Sequence, residues 1–414
     1  MTRMKDSGIE WIGEVPEEWG VGNLKYYFDV QLGKMLQTSA VNGNDIEIDY
    51  LRAINVQWDN ISVENLSKMW CNPSEVGKYE IKNGDLLVCE GGEVGRCGIV
   101  EHLSDRAIIQ NAVHRIRPTE KADVRFLNYY IQHTTKSKWF DILCNKATIA
   151  HLTSEKLLNT SVVLPSISEQ TQIADFLDKK VAQLDKVKSL LEEQIKTLED
   201  YRQSLIYETV TKGLDKTVPL KDSGVDWIGQ IPEGWEITRL KYICGMQSGN
   251  NLTSLEISSE NDGGKIFPVY GGNGQRGYYS DFTNEGNYCL VGRQGALAGN
   301  IHFVSGKFWA TDHAIVVYEH THTYSKYLYY LLKVMNLNQY AFETSAQPGL
   351  SVEKILQLET IHCPKGEQSQ IADFLDKKTE QINQMIAIKK EQIENINKQR
   401  QTLIYDYVTG KRRV

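Results

Sequence analysis

A duplication limits what this chain can fold into more than any other feature. Gln172-Ile173-Ala174-Asp175-Phe176-Leu177-Asp178-Lys179-Lys180 recurs as Gln370-Ile371-Ala372-Asp373-Phe374-Leu375-Asp376-Lys377-Lys378, within a segment from Glu169 to Val210 that returns from Glu367 to Val408. In the first copy leucine recurs every seven residues at Leu177, Leu184, Leu191, Leu198 and Leu205, with Ala174, Val181 and Ile195 three residues earlier. The second copy keeps the period with Leu375, Ile382, Ile396 and Leu403, joined by Ala372, Ile386 and Ile393. Such a heptad seam belongs to a helix that packs along another helix. Lys188, Arg202, Lys389 and Arg400 interrupt the seams; they either fix one register or are solvated charges near frayed ends. Some forty residues at about 1.5 Å each make a rod of roughly 60 Å, longer than an ordinary domain needs.

A second repeat frames the first. Lys5-Asp6-Ser7-Gly8-Ile9-Glu10-Trp11-Ile12-Gly13-Glu14-Val15-Pro16-Glu17-Glu18-Trp19 returns as Lys221-Asp222-Ser223-Gly224-Val225-Asp226-Trp227-Ile228-Gly229-Gln230-Ile231-Pro232-Glu233-Gly234-Trp235 at an offset of 216, and Leu24-Lys25-Tyr26 as Leu240-Lys241-Tyr242. The helical segments repeat at an offset of 198, so the second variable region is about 18 residues shorter. The unit is a tryptophan motif, a variable region and a long helix, present twice. Two copies of this size fit a pseudo-twofold protein better than a solenoid.

Each variable region reads as α+β. Strand-like runs such as Ile54-Asn55-Val56 and Leu86-Leu87-Val88-Cys89 alternate with Gly84, Gly91-Gly92, Gly95 and Gly98, and a helix follows from about Asp123 to Cys144. Lys326-Tyr327-Leu328-Tyr329-Tyr330-Leu331-Leu332 echoes that helix in the second region, where the strands are richer in glycine and aromatics. Leu152-Thr153-Ser154-Glu155-Lys156-Leu157 and Leu350-Ser351-Val352-Glu353-Lys354-Ile355 lead back into the helices. The expected domains are 1–165, 166–214, 215–363 and 364–414.

With 41% hydrophobic and 24% charged residues the chain is an ordinary soluble one. No run of eighteen apolar residues and no leader at Met1 stands out, so neither a membrane span nor secretion is expected, and the location should be cytoplasmic. The seven cysteines lack any Cys-x-x-Cys pair and read as reduced thiols. Cys89, Cys97 and His102 lie close together in sequence, but no fourth ligand stands at a finger-like spacing, which favours buried thiols over a metal site. A net charge of −7 argues against a protein that grips nucleic acid alone by bulk electrostatics.

Catalytic motifs are missing. There is no phosphate-binding G-x-x-x-x-G-K-[ST], no G-x-S-x-G and no H-E-x-x-H, and Gly91-Gly92-Glu93-Val94-Gly95 lacks the lysine and helix of a phosphate cradle. The Asn/Asp-Pro-Pro-Tyr element with which base methyltransferases hold a flipped base is absent too. The chain is not expected to be an enzyme by itself. Loop arginines, amides and aromatics have the chemistry of base and phosphate contacts: Asn273, Gln275, Arg276, Tyr278, Arg293 and Gln294 in the second region, and Arg52, Asn55, Gln57 and Arg96 in the first. Any one of them also fits a solvated turn. Trp11, Trp19, Trp227 and Trp235 lie in near-identical motifs outside the variable regions, which favours a structural role over base stacking.

The motif Ser-Gly-x-x-Trp-Ile-Gly-x-x-Pro-x-x-Trp, a variable region, and a helix opening with Glu-Gln-x-Gln-Ile-Ala-x-Phe-Leu-Asp, in that order and twice over, resemble the specificity subunits of type I restriction-modification systems. The resemblance implies two target-recognition domains, each reading half of a bipartite DNA sequence, joined by two long antiparallel helices that form a coiled coil and space them. It implies two methyltransferase subunits docked on the helices, with Phe176, Leu190, Tyr201, Phe374 and Ile388 as candidate docking residues, and in some systems motor-nuclease subunits. S-adenosylmethionine and ATP would then sit on the partners, with no cofactor in this chain. The alternative is a repeat-built scaffold that binds only protein.

Overall fold

The computed structural model describes residues 3–144, 151–295, 297–344 and 347–414. The chain falls into two compact units, Met1–Leu191 with Glu391–Val414, and Glu192–Lys390, so each holds one variable region and part of both long helices.

The duplicated segments are single helices, Ile167–Lys212 and Lys365–Val408. Pro165 and Pro364 precede them, and Gly213 (φ 72°) and Gly410 (φ 71°) end them in the left-handed conformation that closes a helix at little cost for glycine. The heptad positions face inward as the period demands: Ala174, Leu177 and Val181 are buried, and Leu184, Lys188, Leu191, Ile195, Leu198, Arg202 and Leu205 are half-buried. In the first unit Phe176 stacks on Tyr407 with ring centroids 4.5 Å apart, and Arg400 Nε lies 3.4 Å from Asp185 Oδ1. In the second, Arg202 Nη1 donates to Asn383 Oδ1 (2.5 Å) and Lys389 Nζ to Gln194 Oε1 (2.6 Å). Numbers rise along one helix as they fall along its neighbour, so within each unit the two form an antiparallel coiled coil. Arg202, Lys389 and Arg400 therefore hold register across the seam rather than dangle in solvent.

Each tryptophan motif grips the end of a helix. Trp19 and Trp235 are buried, and a Cβ on Gly410 or Gly213 would lie 3.2 Å from the respective indole ring. Trp11 packs beside Tyr130 and His133. The tryptophans are structural, as their repetition outside the variable regions indicated.

In the first unit a four-stranded sheet runs in the order Cys97–Ile99, Leu86–Cys89, Val113–Pro118, Phe28–Leu32, beside a three-stranded one of Ala107–Ile109, Ile46–Leu51, Ser67–Cys71. The second unit has one six-stranded sheet, Cys244–Ser248, Ala314–Glu319, Asn284–Gly292, Ile301–Ala310, Phe267–Gly271, Gly274–Tyr279. Beneath these differences lies one frame. A parallel pairing joins 107–109 to 49–51 in the first and 309–310 to 269–270 in the second. The domain helices, Val124–Lys136 and Ser325–Val334, meet the long helices in the same way: Tyr129 donates to Asp178 (2.8 Å) and Tyr330 to Asp376 (2.7 Å).

Two local expectations fail. Ile54-Asn55-Val56 is not a strand: Ala53–Asn55 forms a 3₁₀ turn, because Asn55 Oδ1 accepts from the Arg52 N–H (2.9 Å) and closes the backbone locally. The helix expected from Asp123 to Cys144 breaks at Lys138 (φ 62°) into Val124–Lys136 and Trp139–Leu143, with Asp123 as its N-cap.

Candidate nucleic-acid interface

One end of each sheet is built from three turns held by the same hydrogen bonds. In the first unit Gly33 N donates to Val113 O (3.0 Å), Glu90 N to Ala112 O (3.0 Å), Gln110 N to Leu51 O (3.0 Å) and Leu152 N to Glu90 O (2.8 Å). In the second Gly249 N donates to Ala314 O (2.9 Å), Arg293 N to His313 O (2.9 Å), Thr311 N to Tyr270 O (2.9 Å) and Leu350 N to Arg293 O (2.9 Å). Gly33 and Gly249 are required here, since a Cβ would sit 2.2 Å from Gln110 O or 2.3 Å from Ala310 O. The frame makes Lys34 correspond to Asn250, Glu90 to Arg293, Gly91 to Gln294 and Ala112 to His313. Equivalent backbones thus present different side chains.

In the second unit the frame gathers several of the expected residues. A Cβ on Gly272 would lie 3.1 Å from His313 O and 3.4 Å from Gln294 O, which sets the hairpin tip with Asn273 against the turn of Arg293 and Gln294. Asn273, Gln275, Arg276 and Gln294 are exposed and Tyr278 and Arg293 half-buried. Arg276 Nη2 donates to Ser254 Oγ (3.3 Å) and Arg293 Nη1 to Asp312 O (3.4 Å), leaving other donors of each guanidinium open among the described residues. Gln275, Arg276 and Tyr278 run along the outer strand rather than the turn cluster.

The first-unit residues are more committed. Asn55 and Gln57 spend amides on the local backbone, at Ser62 O (3.3 Å) and Ile54 O (2.8 Å). Arg96 Nη2 donates to Ala53 O (2.8 Å) and Nη1 pairs with Glu93 (3.3 Å), so it props this loop from beneath. Arg52 is exposed. Sequence reading missed Lys34, Glu90 and His151, and in the second unit Asn250, Asp312 and His313. Lys34 is bound to Glu75 at 2.6 Å, which raises its pKa. Burial raises that of Glu90 against the opposing influence of His151. The signal was available: continuing the 216 offset from Leu24 and Leu240 reaches Gly33-Lys34 and Gly249-Asn250.

On the long helices, Phe176 is half-buried on Tyr407, and Phe374 half-buried against the second core. Leu190 and Ile388 are 47% and 56% exposed, and Tyr201 55%. Val187 (47%) and Met385 (48%), one turn earlier, were missed. The 198 offset maps Val187 and Leu190 onto Met385 and Ile388, so each unit carries the same exposed apolar pair. Cys89 and Cys97 are buried, and burial raises both thiols. Among the described residues no cluster of three His, Cys, Asp or Glu side chains is placed to hold a metal, and no helix is long and apolar enough to cross a membrane.

Known proteins agree with this architecture. The family model described as "Type I restriction modification DNA specificity domain" matches twice, over residues 16–199 and 232–396. The EcoprrI specificity subunit of Escherichia coli is 40% identical over 138 residues, spanning 33% of this chain and 34% of that protein. The putative MjaX specificity subunit of Methanocaldococcus jannaschii is 23% identical over 97% of this chain and 96% of its own. Among solved structures, one from work on complex assembly and conformational transition of the type I R-M system superposes with a TM-score of 0.74 at 15% identity, covering 95% of this chain and 98% of its own. The HsdS subunit of Thermoanaerobacter tengcongensis follows at 0.52 and 16% identity, with 96% and 98% covered. With both copies of the repeat matched by the family model, the chain belongs to the type I restriction-modification DNA specificity family.

Proposed function

We propose that this protein is the non-catalytic reader of a type I restriction-modification complex in the cytoplasm. Each unit reads one half of a bipartite double-stranded DNA target through the side chains on its turn frame, and the coiled coil sets the spacing between half-sites. Two methyltransferase subunits dock on the helices and carry S-adenosylmethionine; motor-nuclease subunits, where the system has them, carry ATP. No cofactor is held by this chain.

One observation carries the reading: a single hydrogen-bonded frame, present twice, displays Lys34, Glu90 and Gly91 in one unit and Asn250, Arg293 and Gln294 in the other. A duplicated frame that displays different side chains at equivalent positions is what two different half-sites call for, since base edges are read by side chains while phosphates only position the protein. The repeated pair of Val187 and Leu190 with Met385 and Ile388 supports two like docking events. A chain of net charge −7 needs a partner to supply much of the phosphate contact. Selection from a randomised duplex pool, with the methyltransferase subunit present, tests the reading. Enrichment of a split motif is expected; a pool with no enriched sequence would leave only the protein-binding scaffold.

A further inference from the structure

The two units treat one repeated arginine differently. Arg400 and Asp185 of the first unit correspond, by the 198 offset, to Arg202 and Asn383 of the second. Arg400 is buried with all three guanidinium nitrogens engaged. Nη1 and Nη2 donate to Gln132 Oε1 (3.3 Å each), Nη2 pairs with Asp59, and Nε lies 3.4 Å from Asp185 Oδ1. Asp59 sits at φ 59° on the turn between Val56–Gln57 and Asn60–Ile61, a hairpin that reaches the helix with its carboxylate foremost. In the second unit the chain at that point of the frame turns back as the sheet strand Gly274–Tyr279. Among the described residues no hairpin reaches Arg202, and Asn383 replaces the second carboxylate.

Among the described residues Arg202 has Asn383 Oδ1 as its one hydrogen-bond acceptor. The counterpart of Gln132 is Lys333, whose ammonium lies 4.6 Å from the Tyr329 ring centroid. Among the described residues neither cation pairs with a carboxylate. Between them a groove of about 890 Å³ lies open, lined by Arg202, Tyr207, Lys333 and Asn336 together with Glu199 and Asp200.

We infer that this groove receives a carboxylate carried on a tight turn of the methyltransferase subunit docked on the second unit, in the place that Asp59 fills in the first. The inference rests on the docking reading above. A planar guanidinium with open donors favours a carboxylate or a phosphate, and an ammonium across the groove favours either charge. The protein ligand is preferred because the molecule itself supplies a carboxylate on a turn as the template. Glu199 and Asp200 repel any anion entering the groove, and a DNA strand, which brings several phosphates inside the screening length of about 10 Å, is opposed more than a single carboxylate. The two docking events are then unequal: the copy on the second unit gains a charge-assisted contact that the first unit satisfies internally. It binds at least about tenfold more tightly.

Native mass spectrometry of the full chain with purified methyltransferase subunit, wild type against Arg202→Glu and Asn383→Ala, tests this. Asn383→Ala removes the same interhelical bond but keeps the guanidinium. Wild type should hold two copies with separated affinities. Arg202→Glu should weaken the tighter one at least tenfold, and Asn383→Ala should leave both unchanged. Retention of both affinities in Arg202→Glu, equal loss in Asn383→Ala, or a loss confined to DNA binding overturns the inference while leaving docking intact. A wild type that binds no copy removes the docking reading and the inference with it.

Discussion

Arg400 shows how one side chain ties a variable loop to the repeated helix. Its side chain is 7% exposed, and removing it takes the paired guanidinium from Asp59 and Asp185, leaving the Lys136 ammonium as a nearby cation. Arg400→Leu should destabilise the protein by about 2–3 kcal/mol, toward the lower end for a broken buried pair because both carboxylates are partly solvated. Arg202→Leu, which leaves no carboxylate stranded, should cost under about 1 kcal/mol. Urea unfolding of the two variants measures the difference. His133 gives a pH signature: burial among Trp11 and Tyr405 depresses its pKa to about 4. The neutral ring is favoured in the folded state, so its contribution is complete above the unfolded value of about 6.5 and is lost as pH falls towards 4, on the order of 3 kcal/mol. In melting curves from pH 7 to 4.5, His133→Phe should lose less stability than wild type; equal slopes would place the titration elsewhere. Val334 stands at the corresponding position of the second unit, where nothing titrates.

At the scale of elements, the heptads made the long helices legible, because a seam of seven-residue period has few other uses. The turn frame was less so. Its strands are short, its hydrogen bonds join residues from 20 to 80 apart, and Gly33 and Gly249 show only in three dimensions that their role is to let two backbones touch. The hydrogen bonds by which Asn55 and Arg96 hold their loop were illegible for the same reason: polar loop residues look alike in sequence whether they face solvent or hold a turn. Gly33→Ala or Gly249→Ala should therefore disturb one frame and leave the other, weakening discrimination at a single half-site; a methylation assay on targets mutated in either half reads this out. On the helices, Val187→Glu with Leu190→Glu, or Met385→Glu with Ile388→Glu, should each remove one docked methyltransferase with little change in the melting temperature, since these side chains are about half exposed. Analytical ultracentrifugation with the partner present distinguishes one bound copy from two.

For the whole molecule, duplication explains what composition does not. A chain of this acidity does not search DNA by charge alone, but two displayed loop sets on equivalent frames can specify two short tracts once partners provide the phosphate contacts. The distance between those tracts then belongs to the helices. Removing one heptad from each helix shortens a helical rod by about 10 Å, close to three base pairs, and the unspecified spacer should shrink accordingly while both tracts keep their sequence. The most direct test of the central claim is long-read methylation mapping of cells carrying the complex, with the wild-type chain and with a chain whose first variable region is exchanged for that of a relative. The account predicts two short tracts around a fixed spacer, of which only one changes on exchange; a single contiguous motif, or a change in both tracts, would contradict it.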